Sequence, residues 1–319
     1  MRRFDVCNGD ADGLCALRQW RAEFPADDAQ LVTGLKREIA LLQRVPDDAA
    51  EVLVCDISLA RNRDALLRLL GHGARVRWFD HHAAGEVPQH AGLAAHLDFS
   101  PGMCSSLLVD RELGGRQRAW ALVGAYGDEM GEAADHLGAA AGFDAERRAA
   151  LRRLGRAINY NAYGEEPSDP LVHPAELYTL MARHADPFAL LDAEPVIDAI
   201  DRQRGGDLAL AHAVAPAWSG EQARVVVLPD AAWSRRIGGA FANTLGEAAP
   251  RQAQAVLRAR PGGGYLVSVR APRRSPHGAQ ALCAAFGGSG RAAAAGIDRL
   301  PEAELGRFVD AFTSARWAP

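Results

Sequence analysis

Three short, well-separated pieces of the chain carry acidic residues and histidines at spacings that suit divalent metal ions. They are Asn8-Gly9-Asp10-Ala11-Asp12-Gly13, then Asp56, then Asp80-His81-His82. Carboxylates joined by an imidazole favour hard or borderline ions such as Mn2+ and Mg2+ over thiolate-seeking zinc. Taken singly, each piece has a plainer reading. An Asp-x-Asp-Gly run serves as a polar turn, an Asp before Ile57-Ser58 as a helix cap, and Asp-His-His as an exposed loop. What favours the metal reading is where the three pieces fall along the chain.

Each piece directly follows an apolar run: residues 4–7, 51–55 and 75–79. Runs of this length read as buried strands, and residues 13–23, 37–42 and 61–70 between them have helical patterning. Strands alternating with helices predict a parallel sheet with covering helices, and open sheets of that kind bind ligands at the carboxyl ends of their strands. Three strand ends then deliver acid or imidazole to one edge. Asp128 follows a further helix-like stretch rich in Ala, Leu and Trp. From about residue 130 to 205 the pattern is mainly helical, interrupted by the polar aromatic stretch Asn159-Tyr160-Asn161-Ala162-Tyr163-Gly164, which is placed near the active-site cleft. Composition turns linker-like at Gly205-Gly206 and again through residues 215–220, and a smaller α/β unit follows with strands near 224–228, 253–259 and 264–270. The expected organisation is a domain over 1–205, a linker over 206–222 and a second domain over 223–319.

The second unit carries Val267-Ser268-Val269-Arg270, Gly278-Ala279, Phe286-Gly287-Gly288-Ser289-Gly290-Arg291 and Ala294-Ala295-Gly296. With the Asp-His-His piece and its two predecessors, these residues resemble the DHH phosphoesterases, metal-dependent hydrolases of phosphate esters and anhydrides, from the N-terminus almost to the C-terminus. The resemblance implies two ions, Mn2+ or Mg2+, in a cleft between a metal domain and a DHH-associated substrate domain. Asp56 would bridge the ions, Asp10 would complete the first, and Asp12, His81 and Asp128 the second, with Asn8 a further ligand through its amide oxygen. A shared water attacks phosphorus, His82 contacts the scissile phosphate or leaving oxygen, and Asp80 orients the imidazoles. Arg270, Gly288, Ser289, Gly290 and Arg291 would bind substrate, the glycines as an anion cradle reinforced by a helix starting just after them. Three departures stand out. Val6 replaces the His of the phosphatase-like branch, Asn8 replaces an Asp of the exonuclease-like branch, and Arg291 stands where the C-terminal motif has His.

With 319 residues, 48% hydrophobic and 24% charged, the chain can bury two ordinary cores. Its five cysteines include no Cys-x-x-Cys pair, which argues against a disulfide framework or structural zinc, and Cys7 and Cys55 fall in the predicted strands as core residues. No apolar run approaches the roughly 18 residues of a membrane span, and the first motif leaves no room for a cleavable signal peptide, so a cytoplasmic protein is expected. A net charge of −4 lacks the basic surface that long nucleic acid demands. The arginines at 147, 148, 152, 153 and 156 read as a solvated helix face, and the histidines outside the third piece as surface or capping residues. The expected substrate is a short nucleotide phosphodiester or nucleotide phosphomonoester, with no long duplex and no membrane as partner, and self-association as a homodimer left open. The alternatives are a catalytically weak nucleotide-binding or regulatory protein, for which Val6, Asn8 and Arg291 speak, and a single-strand exonuclease.

Overall fold

The first of the predicted strands, β1 (Arg2–Cys7), is buried over its last four residues. In the computed structural model, which describes residues 1–317, it lies between β2 (Ala29–Val32) and β3 (Ala49–Cys55), parallel to both. β4 (Arg75–Asp80) and β5 (Leu93–Leu97) continue the sheet, also parallel, in the order β2-β1-β3-β4-β5. The chain leaves β1 toward one edge and returns to β3 on the other side, so the crevice between the ends of β1 and β3 is the topological switch point, where sheets of this order bind ligands. Asn8–Asp12 and Asp56 follow those two ends.

α1 (Ala11–Glu23) begins at the crevice, its first turn capped by Asp10, whose Oδ1 accepts from Gly13 N at 3.0 Å. α2 (Leu59–Gly71) closes one sheet face: Leu66, Leu69 and Leu70 pack with Val6, Val52, Val54, Val76 and Trp78. Each such fully buried aliphatic side chain contributes about 1.5–3 kcal/mol. The other helices of this unit are α3 (Ser105–Glu112), α4 (Arg118–Gly127), α5 (Gly131–Ala140), α6 (Ala145–Asn161), α7 (Pro174–Ala182), α8 (Pro187–Ala193) and α9 (Pro195–Ala213). α4 sits against α1 and α6 at a distance only glycine permits. A Cβ on Gly155 would stand 2.3 Å from Val123 O and 2.9 Å from Gly127 N, and one on Gly127 would stand 2.3 Å from the Cβ of Ala11.

Three local expectations are corrected. Residues 37–42 do not form a helix; only a single 3-10 turn forms, at Leu41–Arg44. Tertiary partners take the backbone instead, with Lys36 N donating to Ala162 O and Leu42 N to Asn62 Oδ1. Asn159, Tyr160 and Asn161 do not interrupt the helical region but form the last turn of α6. Gly205 and Gly206 lie inside α9, so the first part of the expected linker is helical. The chain divides into two compact units at Arg202/Gln203, within that helix.

The second unit is built on β6 (Trp218–Ser219), β7 (Ala223–Leu228), β8 (Ala253–Ala259), β9 (Tyr265–Arg270), β10 (Ser289–Gly290) and β11 (Ala294–Leu300), in the order β10-β11-β9-β8-β7-β6. Only β7 and β8 run parallel. α10 (Ala232–Ala248), α11 (Ala279–Ala284) and α12 (Leu305–Thr313) accompany it, and Val225, Leu257, Val267, Ile297, Phe308 and Phe312 lie in its core. All five cysteines are buried and unpaired.

The glycine contacts make a paired prediction. Gly155→Ala overpacks the α4–α6 seam and should cost about 1–3 kcal/mol, whereas Gly205→Ala, with open space around its Cβ, should gain up to about 1 kcal/mol from helix propensity. Thermal melts of both variants check this; equal or reversed shifts would refute the close-packed seam.

Candidate metal centre

Asp12 stands in the first turn of α1 and is 1% exposed. Its carboxylate is clamped by the start of α3, with Ser105 N donating to Oδ2 and Ser106 N to Oδ1, both at 2.7 Å. Asp56 follows β3 in the left-handed region, at φ 58°, a conformation that costs a non-glycine residue about 1 kcal/mol or more. Asp56 N is held by Phe79 O at 2.9 Å and Oδ1 accepts from Ser105 Oγ at 3.1 Å. Asp128 caps the end of α4, and the residue after it, Glu129, is the other non-glycine residue with positive φ among the described residues. The two left-handed turns therefore both lie where a carboxylate is delivered.

These carboxylates meet at one imidazole. His81 Nδ1 lies 2.9 Å from Met103 O, a carbonyl that only accepts, so Nδ1 carries the proton and Nε2 presents its lone pair. That Nε2 lies 3.5 Å from Asp56 Oδ1, 3.6 Å from Asp128 Oδ2 and 3.9 Å from Asp12 Oδ2. Asp12, His81 and Asp128 form one group whose ligand atoms lie within 4.8 Å of one another, and Asp56, His81 and His82 form another. Burial, with the charges of Asp10 and Asp12, raises the Asp56 carboxyl well above the usual carboxylate range. Burial and Asp12 push Asp128 up to about 6. Such shifts mark negative charge in excess of local compensation. A hard cation fits this donor set, because it would neutralise the carboxylates and use the one imidazole lone pair aimed among them.

Asp80 and His82 are placed as expected in one respect and differently in another. Asp80 Oδ1 accepts from the His82 ring Nδ1 at 2.7 Å and from His82 N at 3.2 Å, which orients the His82 ring but not that of His81. Asp80 Oδ2 is buried without a partner. Burial would lower the His82 pKa, but the hydrogen bond and charge of Asp80 raise it above the usual histidine value.

The first-ion ligands are not arranged as the resemblance implies. Asn8 Oδ1 accepts from Asp10 N at 3.1 Å and Nδ2 donates to Lys36 O at 3.2 Å, so both ends of the amide are spent on holding the turn and the neighbouring loop. Asp10 Oδ2 is paired with Lys36 Nζ at 2.5 Å. Lys36 also donates to Asn159 Oδ1 at 2.9 Å and lies 5.4 Å from the Tyr163 ring centroid, which puts the polar aromatic stretch beside the centre. Burial alone would lower the Lys36 pKa, but Asp10, Tyr163 and Asp128 raise it well above the usual lysine range.

Sequence reasoning passed over Lys36, yet a signal was there: it is the only lysine in a chain with 35 arginines. The backbone clamp of Ser105 and Ser106 left no comparable signal, since amide donors have no residue type.

In the second unit the glycine run is not an anion cradle. Gly287 N donates to Ala284 O, Gly288 N to Cys283 O and Arg291 N to Ala294 O, and the chain continues into β11 rather than a helix. Ser289 and Gly290 pair with β11. Arg270 is half-buried, with Nε donating to Asn243 Oδ1 at 2.6 Å, and Arg291 is exposed.

The same architecture occurs in solved proteins. A RecJ exonuclease bound to manganese superposes with a TM-score of 0.62 at 18% identity, over 97% of this chain and 88% of that one. The chain has the fold of the DHH phosphoesterases. RecJ from Thermus thermophilus with Mn2+ matches at TM-score 0.62 and 19% identity, over 97% of this chain but 51% of that one. A pGpG-specific phosphodiesterase from Vibrio cholerae matches at TM-score 0.57 and 16% identity, over 98% and 97%. No protein-family model and no curated protein matches the sequence.

Relief of carboxylate repulsion gives a stability readout. Saturating Mn2+ should raise the melting temperature, since a ligand at a hundredfold its Kd stabilises by about 2.7 kcal/mol. Asp128→Asn should leave the metal-free melt within about 2 °C and lose most of the Mn2+ shift. An undiminished shift would remove Asp128 from the ligand set.

Proposed function

We propose that the chain is a divalent-metal-dependent phosphoesterase that hydrolyses short nucleotide phosphodiesters or nucleotide phosphomonoesters. One observation carries the reading: three carboxylates, from the ends of β3 and α4 and the start of α1, surround the free Nε2 of His81 at the sheet's switch point. Asp12, Asp56, His81 and Asp128 would hold Mn2+ or Mg2+. Such an ion polarises a phosphoryl oxygen and makes water a stronger acid.

The chain's own residues do the rest. Ser105 and Ser106 hold Asp12 in place, Ser105 Oγ holds Asp56, and the Met103 carbonyl fixes the His81 tautomer. Asp80 fixes His82 through Nδ1, which leaves its Nε2, on a half-exposed ring, to meet the scissile phosphate or give a proton to the leaving oxygen. Arg270 and Arg291 are the second unit's candidates for a phosphate that does not react, since a guanidinium can grip phosphate through two parallel hydrogen bonds. The net charge of −4 favours small or short substrates over long strands. Among solved proteins of this fold, the Vibrio cholerae enzyme acts on pGpG, and the RecJ proteins support use of a divalent metal. No helix is long and apolar enough to cross a membrane.

The test is a panel of a dinucleotide such as pGpG, 3'-phosphoadenosine 5'-phosphate and a long single-stranded DNA, each with Mn2+. Turnover of one of the small substrates should exceed that of the long strand at least tenfold. Asp56→Asn should lower kcat by about a thousandfold, roughly 4 kcal/mol of barrier, while the fold survives because Asn tolerates the left-handed conformation. A variant within tenfold of the parent would refute the metal assignment, and preference for the long strand would refute the substrate class.

A further inference from the structure

Lys36 reaches the place where a first ion would need Asp10. Its Nζ lies 2.5 Å from Asp10 Oδ2 and 2.9 Å from Asn159 Oδ1, while the other oxygen of Asp10 accepts from Gly13 N. Val6, in the position that could supply a neutral nitrogen ligand, is fully buried in the core instead. Asn8 spends its amide on Asp10 N and Lys36 O. Every donor that the resemblance assigns to the first ion alone is therefore apolar or already engaged by the chain.

We propose that Lys36 is a built-in cation standing in for the first metal ion, so that the chain holds a single divalent ion, on Asp12, Asp56, His81 and Asp128. This rests on the metal-dependent reading above and departs from the two-ion arrangement that the resemblance implies.

The loop that carries Lys36 is built for the position. A Cβ on Gly9 would stand 2.0 Å from Gly34 O, so glycine there lets the loop lie directly on the Asn8–Asp10 turn. The backbone of Lys36 is held on both sides, its N by Ala162 O at 2.9 Å and its O by Asn8 Nδ2 at 3.2 Å. The residue type matters as well. Elsewhere every basic side chain apart from histidine is arginine, while this one position has lysine. An ammonium is a compact charge with three donors that can point toward Asp10, Asn159 and the ring side of the site. A planar guanidinium fork has neither that size nor that geometry. Such an ammonium fixes one positive charge beside Asp10, does not exchange with solvent ions and offers no open coordination position.

The experiment is metal stoichiometry on the full chain, stripped with chelator, dialysed against Mn2+ and measured by elemental analysis and electron paramagnetic resonance. The parent chain should hold one Mn2+ with the six-line spectrum of an isolated ion. Lys36→Met, which keeps the length and removes the charge, should take up a second Mn2+ and show a spin-coupled signal. Asp10→Asn keeps a good helix cap and serves if Lys36→Met does not fold. It should retain one Mn2+ with affinity within about tenfold, whereas Asp12→Asn should lose more than a hundredfold. Two ions in the parent, a single ion in folded Lys36→Met, or a hundredfold loss in Asp10→Asn would overturn the role of Lys36 and leave the phosphoesterase reading standing. No ion in the parent would overturn both.

Discussion

Five carboxylates, Asp10, Asp12, Asp56, Asp80 and Asp128, converge at one edge of a buried parallel sheet, and their mutual repulsion is the constraint that the rest of the unit has to meet. Away from bulk water such repulsion is screened poorly. Each carboxylate has its own local answer. Asp10 has the ammonium of Lys36, Asp12 two amides at the start of α3, and Asp80 the ring and backbone N–H of His82. Asp56 has only a serine hydroxyl and its neighbours, and Asp128 has no answer as strong. Those two are the carboxyls whose pKa values are raised most clearly by burial and like charge. The need for an exchangeable cation is thus localised at one side of the crevice.

Keeping such a group together requires backbone that is itself unfavourable. Asp56 and Glu129 sit in the left-handed region, and strain of about 1–3 kcal/mol per residue persists only where the surroundings over-determine it. The surroundings here are specific. The parallel pairing of β3 with β4 and the bond from Asp56 N to Phe79 O hold the first turn, and the close packing of α4 on α1 and α6 holds the second. Replacing glycine in that seam would therefore move a ligand as well as lower stability.

The sequence exposed the strands most clearly, because residues 4–7, 51–55 and 75–79 are apolar on both faces and end in charge. That pattern leaves few alternatives to a buried parallel strand, and the positions of Asp12, Asp56, His81 and Asp128 followed from it. The loop after β2 was illegible for the opposite reason. Residues 37–42 have helical patterning, but hydrogen bonds to Ala162 and Asn62, far away in sequence, take the backbone. The glycine run at 287–290 misled because glycine serves equally for an anion cradle and for a tight hairpin. Only the partners of Gly287, Gly288 and Arg291 distinguish the two. Lys36 was missed because a basic residue in a loop is ordinary; what is unusual is that it is the chain's only lysine.

Charge also fixes the order in which ligands can approach. The metal-free edge presents more carboxylate than compensating charge, and the whole chain is at −4, so a phosphorylated substrate meets an opposing field there. Lys36 reduces that opposition but is committed to Asp10, and one ammonium does not balance the remaining carboxylates. The ion must therefore come first, and it converts the edge from repelling phosphate to attracting it. Long polyanions gain least from this arrangement, since a single local reversal of sign attracts only the phosphate that reaches it while the rest of the strand still faces an acidic protein. The same electrostatics that demand a metal thus also favour a short substrate.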